Sequence, residues 1–207
     1  MYHEVSTCNF IEVLLFHRTA CEAADDVLVE LIDYCYRKFA TMVRKCDELV
    51  DGQFIQPDDK GVSAKSIVNM TKEQEMEAQL ADVDFKCTMT CLSLIRFISD
   101  QMETLPVPII HQMMENNDIP CVLVPLLEAK PWIRMNCKGE EEKFEDQKWT
   151  VIESHQRGKL TKIEAQVWLT IYNMFMTNEA SRKYEITSFR KSNLLRLRKY
   201  MNEVLLD

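Results

Sequence analysis

The chain has 207 residues, a formal net charge of -8 and only 4 glycines. The acidic balance argues against binding of nucleic acid or of an anionic membrane through a global positive field. No apolar run reaches the roughly 18 residues that a membrane span needs. We therefore expect a cytoplasmic protein with no nucleic-acid partner and no direct membrane insertion. The scarcity of glycine, on which hairpins and phosphate-binding loops depend, favours a mostly helical fold.

The first quarter of the chain contains two segments whose apolar and polar residues recur with the helical period. Residues 9–17 predict a short helix, and the polar stripe along residues 23–48 predicts a long amphipathic one. Thr19 and Glu22 have the spacing of a capping box for the long helix. Residues 51–70 are rich in turn formers and charge, so they predict an inserted loop.

The middle of the chain predicts a buried helix followed by a tight corner. Thr71 and Gln74 form a second capping-box pattern, and the helix they open extends to about residue 103. A helix over 119–128 follows, with a proline in its first turn, where the missing N–H is tolerated. Asn117 or Asp118 can supply the positive φ that such a corner needs, since both residue types tolerate that region.

In the last third of the chain, a second insert is again followed by helices. Residues 131–159 are charged and irregular and predict a second insert, in which 145–153 can form a brief extended piece. Thr161 and Glu164 supply a third capping-box pattern for another buried helix. Residues 188–207 end the chain with an amphipathic segment.

A short helix, a long helix, an insert and a buried helix therefore recur along the chain. IPCVLVPLLE (119–128) and QVWLTIYNMF (166–175) resemble the second and third helices of armadillo repeats. The sequence predicts an all-α fold, an armadillo/HEAT-like helical-repeat solenoid that forms a single domain over residues 1–207, with two long inserted loops. Stacked repeats of this kind bury their apolar faces against their neighbours and leave a grooved surface.

No motif in the chain carries catalytic chemistry. The four histidines are dispersed, and the Walker, GxSxG and dinucleotide fingerprints do not occur. Cys87 and Cys91 lie one helical turn apart, but no second Cys or His pair completes a zinc site, so a core role is the simpler interpretation. We expect a protein that is not an enzyme, with no catalytic, cofactor-binding or metal-binding residues. An enzyme with a dispersed site in a deep pocket is the alternative.

Polar residues on the two buried helices are candidates for partner binding, because the third helices of an armadillo stack line its concave surface. Satisfaction of polar groups inside the stack is the alternative interpretation. The candidates are Lys86, Thr90, Ser93 and Arg96 on the first buried helix, and Gln166, Thr170 and Asn173 on the second.

Two further sets of side chains are candidate contacts. Arg196 and Arg198 belong to a basic C-terminal segment that is either a solvated helix face or a dock for an acidic partner. Trp132 and Trp149 flank or lie inside the second insert, where each is either an anchor of the core or loop or a partner hot spot.

Six phrases of the sequence together resemble the helical region of the zinc finger MYND domain-containing dynein-arm assembly factors. The resemblance covers nearly the whole chain, in order. The phrases are LFHRTACEAADDVLVELIDYCYRKF, LSLIRFISDQMETL, IPCVLVPLLEAKPWIR, FEDQKWTVIE, KLTKIEAQVWLTIYNMFM and ITSFRKSNLLRLRKYM.

The resemblance implies a non-enzymatic scaffold or co-chaperone for the cytoplasmic preassembly of axonemal dynein arms of motile cilia. The implied partners are axonemal dynein chains, a leucine-rich-repeat assembly factor, a membrane-anchored immunophilin and Hsp90 chaperones. The implied location is the cytoplasm, including centriolar satellites and the apical cytoplasm near the base of cilia. The family's MYND zinc finger needs Cys pairs that do not occur after Cys137. We therefore expect the helical region without the finger, and zinc only in that absent finger. A generic armadillo-like adaptor unrelated to cilia is the alternative.

Overall fold

A computed structural model describes residues 2–48, 71–176 and 184–201. The insert predicted at 51–70 and the end of the last predicted helix, after residue 201, lie outside these residues.

The described chain is mostly helical. Its elements in chain order are α1 (Tyr2–Leu15), α2 (Arg18–Ala24), α3 (Val27–Asp47), α4 (Lys72–Asp100), α5 (Val107–His111) continuing as a π-helical turn (Gln112–Asn116), α6 (Ile119–Ala129), β1 (Ile133–Met135), β2 (Glu141–Glu145), β3 (Lys148–Val151), a 3-10 turn (Ser154–Gln156), α7 (Lys162–Met176), α8 (Ser188–Leu195) and a second 3-10 turn (Arg196–Lys199).

Two of the three predicted capping boxes mark true helix starts. At the start of α4, the backbone N–H of Gln74 donates to Thr71 Oγ1 at 3.3 Å, and the backbone N–H of Thr71 donates to Gln74 Oε1 at 3.1 Å. At the start of α7, only half of the box forms, with the backbone N–H of Glu164 donating to Thr161 Oγ1 at 3.2 Å. The Glu164 carboxylate instead accepts from Lys130 Nζ at 2.8 Å. Each hydroxyl satisfies one of the unpaired N–H groups of a first helical turn.

The long amphipathic helix predicted over residues 23–48 is confirmed as α3 (Val27–Asp47), although it begins four residues later than predicted. The chain breaks between α2 and α3, where Asp25 takes a φ of 40° that no helical residue adopts. Thr19 lies inside α2, so it does not cap a helix, and the first helix begins at Tyr2 rather than at residue 9. The apolar period continues across the break, which explains why the sequence pattern does not reveal it.

The predicted corner before α6 is confirmed. Asp118 adopts the left-handed region, with φ 43° and ψ 52°, and Pro120 follows in the first turn of the helix. The Asp118 carboxylate does not cap α6; it accepts from Tyr184 Oη at 2.7 Å and from Arg190 Nε at 2.8 Å. The helix ends at Ala129, and Lys130, also left-handed with φ 44°, turns the chain away before Pro131.

The all-α prediction is wrong in the second insert, which forms a small antiparallel sheet of order β1-β2-β3. The extended piece predicted at 145–153 is confirmed as β3, whose residue Trp149 pairs with Phe144 of β2. Asp146 and Gln147 connect β2 and β3 with φ values of 51° and 62°. Two successive positive φ angles give the type I′ turn that matches the twist of a hairpin.

Aromatic contacts fix this sheet to α4. The Phe85 ring meets Phe144 edge to face, with ring centroids 4.9 Å apart, and stacks on Trp149 at 5.5 Å. The Arg134 guanidinium covers the other side of Trp149, 4.1 Å from the ring centroid. Such pairs add roughly 0.5–1.5 kcal/mol each beyond the area they bury, so the sheet is packed against the helices.

The helices pack in two rows. Helices α1, α4 and α7 lie side by side in one row, while α3, α6 and α8 form the other. Helix α3 packs across on α4, and α6 on α7. The core lies between the rows and is filled by buried side chains such as Phe39, Ile95, Ile109, Leu126 and Trp132. No helix in the described part of the chain combines the length and the hydropathy needed to cross a membrane.

A partly buried ionic network ties α1, α3 and α4 together. Asp84 of α4 accepts from Lys38 Nζ at 2.9 Å and from Lys45 Nζ at 2.5 Å, both on α3. Lys38 Nζ also lies 2.8 Å from Glu4 Oε1 on α1, and that same oxygen accepts from Tyr34 Oη at 2.8 Å. Burial alone raises the pKa of Asp84, but the two lysines outweigh it and hold the pKa below its ordinary value of 3.8.

Replacing Asp84 by asparagine is expected to lower the free energy of unfolding by about 1–2 kcal/mol. A carboxylate with a depressed pKa stabilises the fold above its ordinary pKa, and this contribution is lost as the pH falls through the folded value. Urea unfolding at pH 7 measures the loss. Asp82→Asn is the matched control, because the ion pair of Asp82 within the described residues is with Lys86 of its own helix, a contact worth no more than about 0.5 kcal/mol. Equal losses in the two variants would contradict the role of the network.

Candidate protein-binding pocket

An open cavity of about 340 Å³ lies between α1, α4, α7 and the β2–β3 turn. The row of α1, α4 and α7 forms its floor, and the hairpin turn covers one side of it. Its apolar lining is supplied by Met89, Phe97, Phe144 and Ile163. The other eight of its twelve lining residues are polar or charged, so the cavity is a mixed polar and apolar cleft.

Three of the residues predicted to bind partners meet in this pocket: Thr90, Ser93 and Gln166. Thr90 is only 2% exposed, and its hydroxyl donates to Asn9 Oδ1 at 3.3 Å and accepts from Gln147 Nε2 at 3.4 Å. This hydroxyl therefore joins α1, α4 and the hairpin turn. The side-chain oxygen of Gln166 is buried and has no donor within the described part of the chain.

Glu12 is the pocket residue that the sequence did not reveal. It lies on α1, partly buried, and its carboxylate accepts a hydrogen bond from the Ser93 hydroxyl. Burial raises the pKa of Glu12 above its ordinary value of 4.5, and the bond from Ser93 opposes this only in part. None of the ion pairs among residues 2–48, 71–176 and 184–201 includes Glu12. A carboxylate in such a position destabilises the fold when it is ionised.

Replacing Glu12 by glutamine is expected to raise the melting temperature at pH 7. A raised folded pKa means that the folded state binds the proton more tightly than the unfolded state. Stability is therefore lost as the pH rises from about the ordinary value of 4.5 through the folded value. The gain from Glu12→Gln should shrink when melting is measured at pH 4.5. Glu77→Gln, on an exposed part of α4, is the control; the same gain there, or none at Glu12, would contradict the prediction.

The other polar candidates of the two buried helices satisfy groups inside the helical row. Asn173 Nδ2 of α7 donates to Ser99 Oγ at 3.1 Å and to Asp100 Oδ1 at 2.7 Å, both at the end of α4. Arg96 pairs with the same Asp100. Thr170, 1% exposed, donates to the Gln166 carbonyl oxygen at 2.8 Å within its own helix.

Lys86 completes the polar stripe of α4 without reaching the pocket. Its Nζ lies 2.6 Å from Asp82 Oδ2, one turn earlier in the helix. The residues of the stripe predicted from helical spacing therefore lie on one face of α4. Its members divide between an open pocket near the hairpin and internal contacts towards the end of α4.

The two candidate tryptophans occupy different environments. Trp132 is 0% exposed, and its indole nitrogen is buried and has no acceptor among the residues that the structure describes. Its side chain cannot meet a partner in this conformation. Trp149 is partly buried between Phe85 and Arg134, where it anchors the hairpin.

The two candidate arginines also differ. Arg196 forms a two-point ion pair with Glu128 of α6, so its charge already has a partner within the chain. Arg198 is exposed in the 3-10 turn after α8, next to the exposed Lys199. Of the two, Arg198 is therefore the more direct probe for an acidic partner, while charge reversal at Arg196 would also disturb the contact with α6.

A larger cavity of about 550 Å³ lies at the opposite side of the sheet, near the start of α7 and the C-terminal 3-10 turn. Its charges are largely paired within the chain: Lys130 Nζ lies 2.8 Å from Glu164 Oε1, and Arg134 Nε lies 2.9 Å from Glu142 Oε2. No histidine lines either cavity. Glu141, Lys159 and Lys199 also line this cavity and form no ion pair within the described residues, so its unpaired charges are of both signs.

All eight cysteines are free thiols. Cys87 packs with Cys8 in a small cluster between α4 and α1, and Cys91 lies in the main core. The Cys8 sulfur lies 3.4 Å from Tyr34 Oη. Across the described residues, no group of three His, Cys, Asp or Glu side chains is arranged to hold a metal ion.

Comparison with known proteins finds a relative that matches the chain along its whole length. The chain is 27% identical over 207 residues to the zinc finger MYND domain-containing protein 10 homolog of Drosophila melanogaster, and the match covers 100% of this chain and 43% of that protein. The chain therefore spans less than half the length of the relative. No protein-family model and no solved structure matches the chain. The chain is thus similar along its whole length to part of a zinc finger MYND domain-containing protein, in agreement with the resemblance seen in its sequence.

Proposed function

We propose that this chain is a protein-binding scaffold, of the armadillo-like type, that acts without bond chemistry in the cytoplasmic preassembly of axonemal dynein arms. The observation that supports the proposal most strongly is the similarity to the Drosophila melanogaster protein over all 207 residues. The dynein-arm role itself rests on the family resemblance of the six sequence phrases. The partners proposed on this basis are dynein chains, a leucine-rich-repeat assembly factor, and immunophilin and Hsp90 chaperones.

The arrangement of the helices supports the scaffold part of the proposal. In an armadillo-like stack, each repeat places its second helix in one row and its third helix in another. Helices α3, α6 and α8 would be the second helices, and α1, α4 and α7 the third. The inserted sheet would then lie between a second and a third helix and cover part of the third-helix surface. The pocket with Glu12, Ser93 and Gln166 would be the part of that surface that stays open.

A pull-down from an extract of ciliating cells tests the proposal, with the proteins retained by the chain identified by mass spectrometry. Ser93→Phe fills the pocket from α4, and Ser192→Phe makes the same change on the exposed face of α8. We expect the wild-type chain and Ser192→Phe to retain dynein chains or the proposed chaperones, and Ser93→Phe to lose them. Circular dichroism and melting temperatures of the three proteins establish that all are folded.

The remaining outcomes separate the alternatives. Retention of neither dynein chains nor assembly chaperones by the wild-type chain would overturn the proposal. Retention of a different, reproducible set of proteins would favour the generic armadillo-like adaptor. Equal retention by Ser93→Phe and the wild-type chain would keep the scaffold function but move the contact surface away from this pocket.

A further inference from the structure

The charges of the pocket between α1, α4, α7 and the hairpin turn are unbalanced. Three carboxylates line it, those of Glu12, Glu145 and Asp146, against the single cation of Lys162. Lys162 Nζ already lies 3.3 Å from Asp146 Oδ2. Glu145 is matched by Lys143 Nζ at 3.2 Å and by the backbone N–H of Lys162, which donates to Glu145 Oε1 at 3.1 Å. Glu12 is the carboxylate left without a cation among the ion pairs of the described chain.

The hydrogen bonding of the pocket wall is also incomplete. Among the described residues, the Ser93 hydroxyl is the side-chain donor that stabilises the ionised Glu12 carboxylate. The side-chain oxygen of Gln166, buried behind the lining, also has no donor among the described residues. The lining is therefore short of donors as well as of positive charge. An ammonium or guanidinium group supplies both at once, and charge-assisted hydrogen bonds of this kind are stronger than neutral ones.

The apolar walls fit the rest of such a ligand. Met89, Phe97 and Ile163 line the same cavity, and the methylene stem of a lysine or arginine packs on apolar surface while its charged end reaches a polar group. A cavity of about 340 Å³ is large enough for one long side chain together with some of its own backbone. It lies at the low end of the range of typical small-ligand pockets.

We propose that this pocket receives a lysine or arginine side chain of a partner protein, with Glu12 as its counter-ion. This inference rests on the proposed scaffold function and names the chemistry that the scaffold would recognise: a basic segment whose long cationic side chain enters beside α1. The ion pair would offset the destabilisation that the unpaired carboxylate causes in the free chain. Glu12 would thus be retained for binding at the expense of stability.

NMR titration of the chain with N-acetyl-arginine amide and N-acetyl-lysine amide tests the proposal without any knowledge of the partner. N-acetyl-citrulline amide and N-acetyl-norleucine amide have similar shapes and no charge, so they serve as matched controls. For one of the charged probes we expect saturable amide shifts at Glu12, Ser93, Gln147 and Gln166, with a dissociation constant in the millimolar range, on the order of 1–10 mM. The shifts should weaken as salt is added.

Two variants of the chain make the titration specific. Glu12→Gln should weaken binding of the charged probe by at least about tenfold, and Glu77→Gln should leave it unchanged. Equal shifts with citrulline, equal binding by Glu12→Gln, or no saturable shift up to on the order of 50 mM would overturn the cation pocket.

The titration and the pull-down can give different answers, because the titration tests the cation pocket and the pull-down tests the scaffold function. If the wild-type chain retains dynein chains or chaperones and Glu12→Gln retains them equally well, the scaffold function stands and the cation pocket fails. If the charged probe binds through Glu12 but the wild-type chain retains none of these proteins, the pocket stands and the proposed function fails.

Discussion

Replacing Trp132 by alanine is expected to lower the free energy of unfolding by about 3–5 kcal/mol, the range for removal of a buried aromatic side chain. The indole is 0% exposed and belongs to the main core. It also lies at the point where the chain leaves α6 for the sheet, with its carbonyl oxygen accepting from the backbone N–H of Phe144 at 2.9 Å. A cavity here would loosen the attachment of the whole hairpin. Urea unfolding followed by far-UV circular dichroism measures the loss.

Trp132→Phe is the matched control for this prediction. It keeps an aromatic ring in the core and removes the indole N–H, which is buried without an acceptor among the described residues. An unpaired buried donor costs roughly 1–3 kcal/mol, so its removal offsets much of the lost volume and the loss should be far smaller than for alanine. A fully stable Trp132→Ala protein that no longer retains its partners would instead favour the hypothesis that Trp132 is a contact residue.

The sequence predicted the parts of the fold in which local chemistry and tertiary structure agree. The capping box of Thr71 and Gln74 is formed by residues three positions apart, so it can be recognised without knowledge of the fold. The left-handed corner was likewise predictable to within one residue, because few residue types other than glycine enter that region and two of them, Asn117 and Asp118, stand directly before Ile-Pro; the structure uses Asp118.

The composition of the small sheet explains why the sequence did not predict its first strands. Four of the five residues of β2 (Glu141–Glu145) are charged, and only Phe144 marks its buried face. The hairpin turn uses Asp146 and Gln147 at positive φ, although glycine or asparagine is the usual signal for such a turn. The strand is formed because Phe144 and Trp149 pack on Phe85 of α4, and a contact between residues so distant in sequence cannot be read from local patterns.

The candidate site was predictable only in part, for the same reason. Helical spacing placed Thr90 and Ser93 on one face of α4 and Gln166 on α7, and these side chains do meet in one pocket. Glu12 could not be assigned, since its significance depends on its partial burial and on the absence of an ion pair within the described chain. Both properties arise when α1 packs beside α4 and the hairpin turn covers the pocket.

Replacing Arg190 by methionine is expected to release α8 from the rest of the helical rows. The Arg190 guanidinium, with its side chain 11% exposed, lies 2.8 Å from Asp118 Oδ2 and 3.1 Å from Glu115 Oε2, and 4.3 Å from the centroid of the Tyr184 ring. It therefore joins α8 to the π-helical turn and to the left-handed corner. Methionine keeps most of the length of the side chain but leaves two partly buried carboxylates without a cation, and breaking a buried pair in this way costs several kcal/mol. Because both carboxylates keep some exposure, we expect a loss of about 2–3 kcal/mol.

This loss should be local, because α8 packs mainly on α6, and terminal elements can open without global unfolding. Hydrogen exchange of the α8 amides measures it directly: we expect exchange in Ser188–Leu195 to accelerate by roughly 30–150-fold, the factor that corresponds to 2–3 kcal/mol. Lys191→Met removes the same charge from an exposed neighbouring position and should change the exchange rate of α8 little. Arg190→Lys keeps the charge but cannot contact both carboxylates with a planar guanidinium, so its exchange rate should lie between those of the wild-type chain and Arg190→Met. Unchanged protection of α8 in Arg190→Met would mean that the apolar contacts of Leu194 and Leu197 with the core hold the helix without the ion pairs of Arg190.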